Sequence, residues 1–173
     1  NKVVETLDGR FRLLIHGMTL HGAERIRNDD GTLAIGPPEP TTYYYSGGAL
    51  ADGIDAIRQA RGGLKRVAVA GLGTGSIACQ RQPGEEWSFY EIDREVAKIA
   101  ADVTKFRFLA TCAPDAPIVI GDARLTLAAA SGTFDLIILD AFSSDAVPVH
   151  LLTREAIASY FERLAPGGVL LFH

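Results

Sequence analysis

The chain has few of the features that mark several common protein classes. Cysteine is scarce: Cys79 and Cys112 are the two cysteines among 173 residues. Neither belongs to a Cys-x-x-Cys pair or to a Cys/His cluster, so the sequence indicates no zinc site and no other metal. We expect both to be reduced, partly buried thiols of a cytoplasmic protein. No apolar run approaches the roughly 18 residues needed to span a bilayer, and no signal peptide is visible.

Positive charge is not in excess either. The chain has 17 Lys and Arg residues against 21 Asp and Glu residues, a formal net charge of −4. General nucleic-acid binders are usually basic, so this balance argues against one and is compatible with a small cationic substrate. The apolar share of 47% and the charged share of 22% are ordinary for a globular protein. The length suffices for a substantial core.

The first part of the chain, up to about residue 27, is rich in strand-forming residues. Turn signals at Asp8-Gly9 and His16-Gly17 predict a small antiparallel β-hairpin unit. Because a polar, proline-rich connection follows, we divide the chain into a β-hairpin unit with its linker, 1–40, and a second domain, 41–173. Residues 168–173 have the composition of a core strand, so we expect this domain to be truncated at its C-terminal end.

The second part alternates helical and strand patterns. The predicted strands are 66–71, 87–92, 118–120, 134–140 and 168–173. The predicted helices are about 49–61, a segment between the glycines after the first strand and Pro83, 94–102, about 124–130 and 155–164. The strands are short and apolar on both faces, as strands covered by helices on both sides are. Right-handed crossovers then give a parallel sheet, which binds ligands outside the carboxyl ends of its strands.

The strongest signal lies at the end of the first strand of this sheet. Three glycines follow it at alternate positions: Gly71, Gly73 and Gly75. Glycine lets the backbone turn sharply and lets a ligand approach closely. The next strand ends in Glu91, whose carboxylate can accept hydrogen bonds from both hydroxyls of a ribose. The pattern predicts a bound nucleoside. Ser76 stands where a dinucleotide fingerprint has its third glycine, which disfavours a nicotinamide oxidoreductase.

Further acids follow the other strands. Asp122 either caps the next helix or accepts the exocyclic amine of adenine, whereas we expect Asp93 to act as a helix cap. Asp140 ends a buried apolar strand, where a carboxylate is costly unless it has a partner or a task. We therefore predict a catalytic or substrate-binding role for Asp140, and we count Asp145, in the loop that follows, as a further candidate for such a role.

Aromatic and histidine side chains give less specific signals. One of the three tyrosines at 43–45 is expected to line the pocket, where it can stack on a ligand or a cation. His16 and His21 flank the early turn and have no partner that the sequence identifies. For these two histidines we expect surface or structural roles.

These residues resemble the spermidine synthase family of aminopropyltransferases over roughly residues 12–173. The most specific matching pieces are Gly71–Gly75, Phe89–Asp93, Gly121–Ala123, Phe134–Asp140 and Leu164–Leu170. The resemblance implies a β-hairpin unit followed by a Rossmann-like α/β sheet of the S-adenosylmethionine-dependent methyltransferase type. It also implies a transferase of polyamine biosynthesis, commonly a homodimer, that moves an aminopropyl group from decarboxylated S-adenosylmethionine to an amine such as putrescine.

The resemblance also assigns roles to individual residues. Glu91 would bind the ribose of the donor, and Asp140 would orient and deprotonate the attacking amine. Tyr45 and Asp145 would bind the amine substrate. The remaining donor-binding residues would be Gly71, Gly73, Thr74, Gly75, Asp122 and Ala123.

Two other functions stay open at this point. Thr74 stands where the family has an aspartate that holds the donor's amine, so a methyltransferase using intact S-adenosylmethionine is the main alternative. The second is a domain that binds a nucleoside without turning it over.

Overall fold

The computed structural model describes residues 1–141 and 148–173, which form two β-sheets, five α-helices and three short 3-10 turns. The first sheet is antiparallel, in the order β1-β2-β3. Its strands are β1 (Lys2–Glu5), β2 (Phe11–His16) and β3 (Thr19–Arg25). The predicted turns at residues 8–9 and 16–17 join them. β1 was not predicted, because its residues are mostly exposed and show no apolar alternation.

The second sheet has five parallel strands in the order β6-β5-β4-β7-β8. Its strands are β4 (Arg66–Ala70), β5 (Glu86–Glu91), β6 (Ile118–Ile120), β7 (Phe134–Leu139) and β8 (Leu164–Phe172). The helices are α1 (Ala49–Arg61), α2 (Arg94–Ala101), α3 (Phe108–Cys112), α4 (Ala123–Ala128) and α5 (Arg154–Glu162). The predicted fold class, a parallel sheet flanked by helices with a small β-hairpin unit, is confirmed.

Apolar side chains cover both faces of the parallel sheet, as the sequence predicts. Along β4, Val67 and Val69 pack into one cluster with Trp87 and Phe89. The alternate residues of β4 pack into a second cluster on the other face, around Tyr160 of α5. The segment predicted as a helix after the glycines is a short 3-10 turn, Ser76–Gln80. Within the described residues, each helix is too short or too polar to cross a membrane.

The expectation of two free thiols is wrong. Cys79 and Cys112 form a disulfide, and their Cα atoms lie 4.9 Å apart. The bond is possible because the 3-10 turn packs against α3, and a glycine begins that contact. Gly75 adopts φ +81°, and a Cβ there would lie 2.7 Å from the Leu109 side chain. The sequence did not predict α3, so the two cysteines could not be placed side by side.

Candidate functional site

A cavity of about 290 Å³ opens at the carboxyl ends of the parallel strands. Six of the predicted site residues line it, and four of these lie at the ends of four neighbouring strands: Gly71, Glu91, Asp122 and Asp140. The β-hairpin unit closes one side through His16 and His21. The predicted ligand edge of the sheet is therefore a concave site built from both parts of the chain.

The glycine loop is packed tightly between β7 and β3. Gly71 adopts φ +108°, and a Cβ there would collide with the carbonyl of Asp140. Gly73 adopts φ +53°, and its Cβ would lie 2.5 Å from the carbonyl oxygen of His21. Both glycines line the cavity. Because neither position has room for a side chain, the loop presents its backbone to a ligand.

Thr74 and Gly75 face away from this backbone surface. Thr74 is fully buried, and its side chain contacts Gly22 so closely that a Cβ on that glycine would overlap it. The hydroxyl of Thr74 has no hydrogen-bond partner among the described residues. Gly75 packs on Leu109. The structure therefore places these two predicted donor-binding residues beside the cavity rather than in its lining.

Glu91 is held at the tip of β5 by backbone amides. Its Oε2 accepts from the N–H of Leu72 at 3.1 Å, and its Oε1 accepts from the N–H of Asp93 at 2.8 Å. Burial raises the pKa of Glu91, and these two hydrogen bonds oppose that increase. The amides fix the orientation of the carboxylate, and each oxygen keeps a lone pair for a further donor such as a hydroxyl.

Two aspartates begin helices at the cavity wall. The prediction that Asp93 caps α2 is confirmed, since its Oδ1 accepts from the N–H of Glu95 at 2.8 Å. Asp122 caps α4 by accepting from the N–H of Arg124 at 2.9 Å. Asp122 and its neighbour Ala123 both line the cavity. The two interpretations of Asp122, cap and ligand contact, are therefore compatible.

Asp140 carries the most unusual environment of the site. Its side chain is 11% exposed. The Tyr44 hydroxyl donates to Oδ2 at 2.8 Å, and Nδ1 of His173 lies 3.0 Å from Oδ1. Burial, followed by the charge of Asp140, raises the pKa of Tyr44 well above its ordinary value. Tyr44 therefore remains a protonated donor, and the carboxylate reaches the cavity with an aromatic and an imidazole partner.

The structure brings together most of the predicted residues but not all of them. Tyr45 is 52% exposed, and its neighbour Tyr44 is the tyrosine that contacts Asp140. Asp145 lies outside the described residues. Within the described part of the chain, no group of three or more His, Cys, Asp or Glu side chains is arranged to hold a metal ion.

Histidine is the residue type at the cavity that sequence reasoning did not predict. Of the four histidines of the chain, His16, His21 and His150 line the cavity, and His173 contacts Asp140. The rings of His16 and His21 meet edge to face at 6.0 Å. Burial, followed by the charge of His16, lowers the pKa of His21. His173 could have been found, because it follows β8 just as Asp140 follows the neighbouring β7.

Comparison with known proteins gives curated relatives but no matching protein-family model. A polyamine aminopropyltransferase from Vibrio vulnificus is 31% identical over 113 residues, which are 62% of this chain and 36% of the relative. A probable polyamine aminopropyl transferase from Bifidobacterium longum is 28% identical over 106 residues, 60% of this chain and 22% of the relative. The predicted resemblance to the spermidine synthase family is confirmed. The relatives are named as transferases, the enzyme class that we predicted. The chain matches well under half of their length.

Solved structures agree on the fold. A probable spermidine synthase from Corynebacterium glutamicum is 22% identical, with a TM-score of 0.66, and the match covers 99% of this chain and 59% of that one. Spermidine synthase from Thermotoga maritima is 18% identical, with a TM-score of 0.56 and coverages of 98% and 55%. An amino pentose methyltransferase from Micromonospora echinaspora is 25% identical, with a TM-score of 0.54 and coverages of 76% and 50%. The two synthases match this chain along almost its whole length.

Proposed function

We propose that this chain transfers an aminopropyl group from decarboxylated S-adenosylmethionine to a diamine or polyamine such as putrescine. The observation that carries the proposal is the setting of Asp140 at the cavity wall. Its side-chain partners among the described residues are Tyr44 and His173, and neither lysine nor arginine is among them. An acid that is not neutralised by a permanently charged lysine or arginine is suited to holding a cationic amine.

The donor end of the proposed site lies two strands away from Asp140. Glu91 would accept hydrogen bonds from the ribose hydroxyls, since the backbone already fixes both of its oxygens. Asp122 and Ala123 would contact the adenine, and the backbone at Gly71 and Gly73 would allow the ligand to pass close to the loop. A relative of this chain is named a polyamine aminopropyltransferase, and one spermidine synthase neighbour binds the transition-state analogue AdoDATO.

The proposed chemistry requires an uncharged amine. Aliphatic amines have pKa values of roughly 10, so the acceptor arrives as an ammonium ion, which the Asp140 carboxylate attracts. An oxygen of Asp140 takes one ammonium proton as the nitrogen attacks the carbon next to the sulfonium. The carbon–sulfur bond breaks, its electron pair stays on sulfur, and methylthioadenosine is released. Holding nitrogen, carbon and sulfur in line supplies much of the rate.

A methyltransferase is the second candidate, and the position of Thr74 favours it. No carboxylate stands at this position to bind the donor's amine, and the threonine is buried against Gly22. The site therefore lacks, at residue 74, a negative charge that would repel the carboxylate of intact S-adenosylmethionine. A methyl transfer would release S-adenosylhomocysteine.

The by-product separates the candidates. The protein is incubated with putrescine and either donor, and released nucleosides are identified by mass spectrometry. We expect methylthioadenosine from the decarboxylated donor, in an amount equal to the spermidine formed. Formation of S-adenosylhomocysteine alone overturns the proposal in favour of a methyltransferase. Binding of methylthioadenosine without any product overturns it in favour of a domain that binds nucleosides without catalysis.

The setting in which the protein works is a separate proposal. A homodimer, the division at residue 40 and a cytoplasmic location stay predictions. The Cys79–Cys112 disulfide bears on the last of these, because such bonds persist mainly in oxidising compartments. Thiol counting on protein extracted under alkylating conditions measures whether the bond exists in the cell.

A further inference from the structure

His173 occupies a fixed position beside Asp140. Its backbone N–H donates to the carbonyl of Leu139 at 3.0 Å, which extends the pairing of β8 with β7 by one residue. The side chain then lies next to that of Asp140, with Nδ1 3.0 Å from Oδ1. The backbone N–H of Asp140 donates to the carbonyl of Ala70 at 2.8 Å. Both members of the pair are thus anchored by the sheet itself.

The two residues differ in their access to the ligand. Asp140 lines the cavity, whereas His173 is not among the described residues that line it. Its ring also packs near the rings of Tyr43 and Tyr44, at 6.3 and 5.7 Å between centroids. His173 can therefore influence a bound substrate only through Asp140, as a positioning residue.

We propose that His173 sets the charge and the orientation of Asp140, so that its protonation state controls how strongly the site binds the cationic acceptor. This inference rests on the proposed function. When His173 is protonated, its positive charge offsets the carboxylate and weakens the attraction for an ammonium ion. When it is neutral, Nδ1–H still donates to Oδ1, because a carboxylate only accepts. The orientation is then kept while the full negative charge of Asp140 faces the acceptor.

The electrostatic surroundings support this role. The pKa of His173 is raised, first by its hydrogen bond with Asp140 and then by the charge of that residue, while burial opposes the increase. Among the described residues, the titratable groups that face His173 are Asp140 at the end of β7 and Tyr43 and Tyr44 before α1. His21 on β3 also lies within the field of Asp140. Histidine is the residue type of this group whose ordinary pKa lies nearest neutrality.

The test compares two variants of His173 across a pH series. Wild type should bind the acceptor more tightly as pH rises from about 6 to 8, with the KM for the amine falling about tenfold and the KM for the donor unchanged. His173→Gln keeps a donor but does not titrate, so its KM for the amine should be nearly flat over this range. His173→Phe has no donor, so its kcat should fall about tenfold or more. Phe172→Leu, at an exposed neighbouring position, should behave as wild type.

A second measurement is independent of turnover. Histidine NMR titration, with the His173 signal assigned by its loss in His173→Gln, should give a raised pKa that falls in Asp140→Asn. An unchanged value in Asp140→Asn overturns the inference. So does a wild-type pH profile in His173→Gln, which would leave the proposed function intact. If wild type forms no product from either donor, the proposed function fails and the inference fails with it. Circular dichroism confirms that each variant is folded.

Discussion

The two ends of the parallel sheet carry the same kinds of acidic side chain in opposite surroundings. At the amino end, Glu85 is buried and accepts from Arg58 at 2.6 Å and from Trp87 at 2.9 Å. Asp135 accepts from Arg61 at 2.5 Å and from the backbone N–H of Lys65 at 2.7 Å. Burial alone would raise the pKa values of both acids, but these hydrogen bonds and charges hold them below their usual range.

At the carboxyl end, the acids lack this compensation. Glu91 is held by backbone amides alone, and burial raises its pKa. Asp140 is held by a tyrosine and a histidine. This difference indicates that the paired acids at the amino end stabilise the fold. The acids at the cavity can still accept hydrogen bonds from a polar ligand or pair with a cationic one. Substitutions at the two ends should therefore have opposite consequences for stability and for function.

The largest expected effect is that of Asp140→Asn on the reaction. The change keeps the shape of the side chain but removes the proton acceptor and the negative charge. We expect kcat to fall by a factor of about 10² to 10⁴, the range of general-base catalysis, with little change in nucleoside affinity. The rate of methylthioadenosine release measures it. Asp135→Asn, at the amino end of the same strand, should keep the wild-type rate, and a full rate in Asp140→Asn would break the comparison.

The next effect is that of Glu85→Gln on stability. The change leaves the Arg58 guanidinium buried with only part of its compensation, and breaking a buried ion pair costs about 3 kcal/mol. Urea unfolding followed by circular dichroism should show this loss in the free energy of unfolding. Glu86→Gln is the matched control, because the side chain of Glu86 is 79% exposed and such sites change stability by less than about 0.5 kcal/mol. Equal losses in the free energy of unfolding of Glu85→Gln and Glu86→Gln would contradict the stabilising role that we assign to the buried Glu85–Arg58 ion pair.

Glu91→Gln should show the reverse pattern. An amide cannot accept hydrogen bonds at both of its terminal atoms, so affinity for methylthioadenosine should fall about ten- to hundredfold. Stability should fall by only about 1 kcal/mol, less than in Glu85→Gln, because one backbone N–H loses its acceptor but no buried ion pair is broken. Calorimetric titration and urea unfolding measure the two quantities. A large loss of stability with unchanged affinity would place Glu91 with the structural acids of the amino end.

The smallest expected effect is a difference in pH sensitivity between the two ends of the sheet: as pH falls, ligand binding at the carboxyl end should be lost before the stability contributed at the amino end. The pKa of Glu91 is raised, so nucleoside binding that needs its carboxylate declines at a pH above the ordinary range of this residue type. The folded-state pKa of Asp135 is lowered, so the stability it contributes is lost only as pH falls through that lower value. Calorimetric titrations and thermal melts at decreasing pH should therefore show that nucleoside binding is lost at a higher pH than folding stability. Simultaneous loss would argue against two distinct environments.

The sequence predicted those features that depend on local pattern. Apolar strands, turn glycines and acids at strand ends are each readable within a few residues, which is why the positions of Gly71, Glu91 and Asp140 were foreseen. α3 was missed because it is short and its first flanking residue, Arg107, gives no side-chain cap. Which of the neighbouring tyrosines, Tyr44 or Tyr45, contacts Asp140 depends on where a single 3-10 turn, Thr42–Tyr44, begins and ends. The contacts of His21 and His173 depend on how separate strands are arranged in space.

The covalent link between Cys79 and Cys112 has a practical consequence at the bench. It ties the segment immediately after the glycine loop to α3, which packs on the loop through Leu109. Protein purified with a strong thiol reagent and protein purified in air are then two different chemical species of the same chain. A measured affinity or melting temperature applies only to the reduced or the oxidised form that was present in the sample. The free thiols of each sample should therefore be counted before affinities or melting temperatures are compared.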